Sequence, residues 1–368
     1  MERIGKFLKE RKEKGLFRTL QPATHRKEGK IYIKGKEYID FSSNDYLGLS
    51  DHPEIKEAAR KTTEKYGTGS SASRLLSGNL QIHHELEEKI ASFKGTQAGL
   101  VFNSGYQANI GLISAICKKE DAIFSDRLSH ASIIDGMLLS GAKLFRFKHN
   151  DMNHLESVLK KERGKFQEAL IITESVFSMD GDRAPLKEIA ELKRKYNCKL
   201  MVDEAHATGI FIEREEGADL LMGTFSKALG SFGAYVCCSS QIKEYLINSA
   251  RSFIYSTALP PAVIAANLAS LEVAEKESFR SKALLENSDY LRTQLIKKGF
   301  NVKGSSQIIP LILGDNDKTV KAARALQDRG YWVLPIRTPT VPKGEARLRF
   351  SLTYHHTKDM LEKLLKDV

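Results

Sequence analysis

No two cysteines in the 368-residue chain stand in C-x-x-C spacing, and the four present are Cys117, Cys198, Cys237 and Cys238. That leaves no sequence basis for a zinc ribbon or a dithiol redox motif, and no metal is expected. Adjacent Cys237 and Cys238 face opposite sides of a strand, so buried free thiols are the expectation. No apolar stretch approaches the roughly 20 residues that cross a bilayer. Met1 to Arg18 alternates Lys, Arg and Glu with apolar residues and lacks the apolar core of a secretory signal. These absences predict a soluble, cytoplasmic protein with no membrane partner. Aromatic residues make up only 8% of the chain, and lysines are dispersed in pairs such as Lys118-Lys119, Lys160-Lys161 and Lys297-Lys298. The basic and aromatic interleaving of a nucleic-acid groove is missing, so no nucleic-acid partner is expected. The loop from Gly67 to Arg74 is rich in small residues but lacks the order of a nucleotide P-loop. There is no tandem repeat and no low-complexity segment.

What is present is a globular composition, 41% hydrophobic and 28% charged, with a formal net charge of +11. The excess of positive charge is compatible with a solvated surface or with an anionic substrate or carrier. The length predicts more than one core. Residues 1–45 read as an N-terminal arm, a charged amphipathic helix followed by a hairpin over Lys30 to Ile39 that turns at Gly35. Residues 46–260 read as a large domain. Its short apolar strands, at Ala98 to Phe102, Ala122 to Ser125, Ala169 to Glu174, Lys199 to Asp203, Asp219 to Gly223 and Ala234 to Cys238, alternate with helices. That alternation predicts an α/β fold with a mostly parallel central sheet covered by helices. Residues 261–368 read as a smaller α/β domain, with two long helices, then strands at Ile308 to Leu313, near Trp332 and at Arg347 to Leu352.

In such sheets ligands bind beyond the carboxyl ends of the strands. Two apolar runs there end in polar residues, Leu200-Met201-Val202-Asp203-Glu204-Ala205-His206 and Met222-Gly223-Thr224-Phe225-Ser226-Lys227. An aldehyde cofactor such as pyridoxal 5′-phosphate needs a lysine amine for a Schiff base, an acid to keep its ring nitrogen protonated, and donors for its phosphate. Lys227, Asp203 and Thr224 with Ser226 are the candidates. Asp203 has a helix N-cap as its structural alternative. Asn103 to Asn109 follows a strand and opens a helix, a place where free N–H groups hold a phosphate. His206 is placed to donate to a phenolic oxygen and His130 to stack on an aromatic ring. Arg347 and Arg349 share one strand face and could grip a carboxylate, with edge-strand arginines as the alternative.

With these residues in hand, the chain resembles the α-oxoamine synthases, a branch of the fold-type I pyridoxal phosphate-dependent enzymes. The similar blocks are Asn44 to Leu49, Gly67 to Gly78, Ser104-Gly105-Tyr106, Asp126 to Ser132, Ser175 to Asp182, Asp203 to Gly209 and Ser226-Lys227-Ala228. The resemblance implies that Lys227 carries the cofactor, Asp203 pairs with its ring nitrogen, His206 touches its phenolic oxygen, His130 stacks on it and Ser175 lies beside it. It further implies that Gly105, Tyr106 and Thr224 bind the phosphate. Ser256 and Thr257 would reach in from a second subunit, giving a homodimer with shared sites. Asn44 and Arg349 match positions for an amino-acid carboxylate, and Arg18 one near a thioester. Ile336 to Gly344 is most similar to the branch that joins L-alanine to a pimeloyl thioester, carried by coenzyme A or acyl carrier protein, in biotin biosynthesis. The sister activities are the glycine-using ones, glycine C-acetyltransferase and 5-aminolevulinate synthase. Two departures stand out: Ile210 to Gly217 replaces a longer glycine-rich loop, and Ala234 replaces a glycine.

Overall fold

A computed structural model describes residues 1–211 and 217–368, so most of the shortened Ile210 to Gly217 segment lies outside the described residues. The helix Glu2–Glu13 opens the chain and buries none of its residues. A small sheet follows: β1 (Ala23–Lys27), β2 (Lys30–Ile33) and β3 (Lys36–Asp40). Strands β2 and β3 form the expected hairpin, with Lys34 and Gly35 both at positive φ in a tight turn. Strand β1 adds to it, a strand that the charged run Ala-Thr-His-Arg-Lys did not advertise.

The central sheet comprises β4 (Ala98–Phe102), β5 (Ala122–Asp126), β6 (Lys143–Phe147), β7 (Ala169–Glu174), β8 (Lys199–Asp203), β9 (Leu220–Thr224) and β10 (Ala234–Cys238). Its order is β4-β10-β9-β8-β7-β5-β6, with β10 alone antiparallel to its neighbours. Alternate residues feed two cores: Leu200 and Val202 pack on one face, Met201 and Met222 on the other. Each such side chain contributes roughly 1.5–3 kcal/mol of burial. Cys237 and Cys238 divide between the same two faces, and all four thiols are free and buried. Ala234 pairs with Phe102 and Thr224 and is fully buried.

A third core joins the C-terminal elements to the end of the arm and the segment that follows it. It holds Phe41, Tyr46, Leu47 and Leu49 together with Leu291, Leu348, Phe350 and Leu361. The C-terminal strands are β11 (Ile308–Gly314), β12 (Tyr331–Trp332), β13 (Pro335–Ile336) and β14 (Ala346–Ser351). Strand β14 lies between β11 and β13, so its arginines are not edge-strand arginines, and β12 extends the arm sheet by pairing with β3. The helix Pro261–Lys276 packs on helices Pro53–Tyr66 and Gln81–Lys94, with Ile264 and Leu271 in a core of the central sheet. We therefore propose moving the divisions expected at residues 45/46 and 260/261. Residues 36–50 group with the C-terminal unit, and the helix Pro261–Lys276 groups with the large one.

Candidate active site

The parallel strands deliver their polar residues to one crevice. Asp203 ends β8, the strand between β7 and β9, and its Cα partners are Glu174 on one side and Met222 on the other. Its Oδ1 accepts from the Ala205 N–H at 3.0 Å and its Oδ2 from Asn109 Nδ2 at 2.9 Å. The carboxylate therefore does not cap a helix. It stabilises its own turn with one oxygen and is oriented from across the sheet through the other. Asn109 reaches it from the helix Gly105–Ile116 and also donates to Ser132 Oγ at 2.9 Å.

Lys227 Nζ lies 2.9 Å from His206 Nε2, and His206 Nδ1 lies 2.7 Å from the Tyr46 hydroxyl. Burial lowers the Lys227 pKa against the opposing pull of Asp203 and Glu174, enlarging the fraction of free amine at neutral pH. Burial also holds the His206 imidazolium well below the usual histidine range, helped by Lys227 and Arg349. Glu174 is buried with its carboxyl pushed well upward by desolvation and by the Asp203 charge, and its Oε1 accepts from the His130 N–H at 2.7 Å. His130 caps the helix Ala131–Ser140 by accepting from the Ser132 N–H at Nδ1. The residue keeps an exposed part, while burial lowers the pKa of its imidazole against the pull of Asp203. Ser175 is buried beside Asp203, its N–H donating to the Asp203 carbonyl at 2.9 Å.

The phosphate candidates lie at the ends of β4 and β9. Ser104 caps the helix Gly105–Ile116 by accepting from the Gln107 N–H, which leaves the Gly105 and Tyr106 N–H groups outside the helical ladder. A Cβ on Gly105 would come within 2.9 Å of Thr224 Cγ2, so the close approach requires glycine. The Thr224 hydroxyl is buried and has no hydrogen-bond partner among the described residues. The Tyr106 side chain is exposed and donates to Asp135, so only its backbone faces this cradle. Ser256 and Thr257 flank Asn103, which donates to Ser256 Oγ and the Thr257 carbonyl at 2.8 Å each.

The two C-terminal arginines separate. Arg347, 1% exposed, is consumed by Asp180 at 2.8 Å and Glu345 at 2.9 Å. Arg349 instead donates to the Ser178 carbonyl at 2.6 Å and reaches the Tyr46 hydroxyl at 3.4 Å, which places it beside Asn44 and His206. Of the two arginines that share the strand face, Arg347 is thus taken up by carboxylates of the chain, and Arg349 is the one beside Tyr46. Arg18 stands apart from all of these. It is exposed, donates to Thr340 at 3.3 Å, and lines a cavity of about 710 Å³ between the arm and the C-terminal strands. Its other cations are Arg11, Lys34 and Arg337.

Residues 36–368 match the family model described as aminotransferase class I and II. The chain belongs to that family. An 8-amino-7-oxononanoate synthase of Geotalea daltonii is 47% identical to this family member over 97% of the chain and 94% of the relative. Another, of Geobacter sulfurreducens, is 47% identical over 98% and 95%. A solved structure of serine palmitoyltransferase from S. paucimobilis with bound PLP and myriocin has a TM-score of 0.91 and 30% identity, covering 99% of this chain and 95% of that one. The 8-amino-7-oxononanoate synthase structure from Francisella tularensis has a TM-score of 0.78 and 31% identity, covering 90% and 96%. The expected fold-type I architecture is thus present, shared across enzymes with different names.

The residues of this aminotransferase-family site fit pyridoxal 5′-phosphate. They supply an orphaned buried hydroxyl at Thr224, a glycine-bounded helix terminus, an oriented carboxylate at Asp203 and an amine of lowered pKa. Sequence reasoning missed Tyr46, Asn109 and Glu174 as members of the site. Tyr46 and Asn109 lay inside blocks already singled out, and Glu174 precedes Ser175 directly, so their position was signalled while their contacts were not.

Proposed function

We propose that this chain is a pyridoxal phosphate-dependent acyltransferase that condenses L-alanine with a pimeloyl thioester, giving 8-amino-7-oxononanoate, CO2 and the free thiol carrier. The carrying observation is identity of 47% across nearly the whole chain with proteins of that name. The Lys227, His206 and Asp203 geometry supports it. When bound, the cofactor supplies a carbonyl for an amine and a ring that stabilises negative charge on the neighbouring carbon.

The chain's own residues do the rest. Lys227 holds the cofactor, and its Nζ takes and returns the proton of the amino-acid α-carbon, work for which a lowered pKa is suited. Asp203, oriented by Asn109, accepts from the protonated ring nitrogen. His130 presents its ring to the cofactor face, and His206 meets the phenolic oxygen. Ser175 supports Asp203 from just past the end of β7. Thr224 and the Gly105 and Tyr106 N–H groups hold the phosphate, joined by Ser256 and Thr257 of a second subunit in a homodimer. Arg349 and Asn44 bind the alanine carboxylate. Arg18 lines the approach of the thioester, whose carrier, coenzyme A or acyl carrier protein, is anionic and suits a chain of net charge +11. A cytoplasmic location accords with this reading, and among the described residues no helix is long and apolar enough to cross a membrane.

The test is turnover of alanine against glycine with pimeloyl-, acetyl- and succinyl-coenzyme A, together with the visible absorption of the reconstituted protein. Amino ketone formed from alanine and the pimeloyl thioester is the expected result. Exclusive use of glycine would assign a sister activity, and a protein that takes up no cofactor would remove the assigned roles.

A further inference from the structure

Each nitrogen of the His206 ring is claimed by one neighbour, the Tyr46 hydroxyl at Nδ1 and Lys227 Nζ at Nε2, and among the described residues no third group competes. Burial keeps the ring neutral, so it carries one N–H: one nitrogen donates and the other accepts. What His206 presents to the crevice at Nε2 is therefore decided at Nδ1, by the tyrosine.

Tyr46 is fully buried, and burial raises its pKa, so the hydroxyl keeps its proton. It has one proton and two lone pairs to place. The Arg349 guanidinium can only donate, and at 3.4 Å it occupies one lone pair. Asn44 Oδ1 lies 3.0 Å away. The Gln307 amide also acts on the hydroxyl, but its N–H is directed to the His206 carbonyl at 2.8 Å, and among Arg349, Asn44 and His206 two settings satisfy the hydroxyl. In the first, the hydroxyl donates to Asn44 Oδ1, His206 carries its proton on Nδ1, and Nε2 is bare. In the second, the hydroxyl donates to Nδ1, His206 carries Nε2–H, and the Asn44 amide turns end for end so that its N–H fills the second lone pair. The second setting alone lets neutral His206 donate to an oxygen that only accepts, such as a phenolate.

We propose that Tyr46 is a positioning residue: by donating its hydroxyl proton to Nδ1 it holds His206 in the Nε2–H form that hydrogen-bonds the phenolic oxygen of the bound cofactor, while its oxygen braces Arg349. This rests on the proposed reading of the site. It couples the two halves of the chemistry, because one hydroxyl orients both the residue facing the cofactor and the residue facing the amino-acid carboxylate. It also explains a polar atom in the third core, where Tyr46 packs among Phe41, Leu47 and Leu348.

The experiment is nitrogen NMR of holoenzyme labelled at histidine, with the His206 signals identified by their loss in His206→Gln and cofactor occupancy read from visible absorbance. The expected wild-type result is a protonated Nε2 and a bare Nδ1. In Tyr46→Phe the cofactor still binds, the proton redistributes to Nδ1, and kcat/KM for alanine falls roughly 10- to 100-fold, as when a functional histidine loses its orienting partner. Part of that fall is a raised KM, reporting the loss of the Arg349 brace. Wild-type holoenzyme with a protonated Nδ1 would overturn the proposal, and so would an unchanged His206 tautomer in Tyr46→Phe. The wild-type spectrum decides even where the variant fails to fold. Absence of bound cofactor in the wild type would instead overturn the proposed function, and this inference with it.

Discussion

The crevice at the strand ends and the cavity beside the arm are built in opposite ways. In the crevice, Asp203 of β8 is buried and hydrogen-bonded to Asn109 of the helix Gly105–Ile116, and the buried Glu174 of β7 accepts from the His130 N–H, so these groups are held in one orientation. At the arm, the helix Glu2–Glu13 buries nothing, and Arg18 reaches Thr340 from an exposed position. Two sites on one chain thus differ in how far their geometry is imposed. Chemistry that needs a fixed proton or a fixed carboxylate belongs where packing determines rotamers, whereas a cationic surface can attract an anionic carrier without that precision.

Substitutions should separate the two regions by size of effect. Lys227→Ala removes both the anchor of the cofactor and the proton-carrying amine, and should cost roughly 10⁴-fold or more in turnover, measured with alanine and pimeloyl-coenzyme A. Asp203→Asn keeps the shape but not the charge. It should lower kcat by about 10²–10³-fold, the range for losing one preorganised electrostatic partner. Arg349→Lys should raise KM for alanine about tenfold or more, from the loss of a charge-assisted hydrogen bond. Arg347→Met, on the same strand face, should leave that KM nearly unchanged. It should instead cost about 3 kcal/mol of stability in a denaturant titration, since Asp180 loses its buried partner. Arg18→Ala should change only the KM for the thioester, by a few-fold, and increasingly so at low ionic strength. An Arg18→Ala effect as large as that of Arg349→Lys would erase the distinction between the regions.

A pH titration sharpens the contrast from the packed side. Burial opposes the charge of His149, but hydrogen bonds to Asp126 at 3.0 Å and Asp182 at 2.7 Å outweigh it and raise its pKa to about 9. Because the folded value lies above the usual 6.5, this stabilisation is fully present below about pH 6.5 and is lost as pH rises through about 9. The shift corresponds to about 3 kcal/mol, which His149→Gln should remove near neutrality and leave nearly untouched above pH 9. Denaturant midpoints across that range check it.

Apolar strands were legible because their composition matches burial on two faces, and six of the seven in the central sheet stood out to within a residue. The seventh, β6, has the sequence Lys-Leu-Phe-Arg-Phe and sits at the sheet edge, where two exposed charged residues blur the pattern. Lys227, Asp203 and His206 were legible because strand ends announce themselves locally. Asn109 was not, since its contact with Asp203 spans 94 residues, and Tyr46 meets His206 across 160.

By itself the sequence determined which side chains are present, which strands bury them and which polar residues stand at strand ends, since periodicity and composition act over a few neighbouring residues. Only the tertiary structure decided that Arg347 is consumed by Asp180 while Arg349 faces the site, and that Tyr46 joins Arg349 to His206. Those choices depend on distances between residues far apart in the chain, and such distances exist only once the three cores have packed.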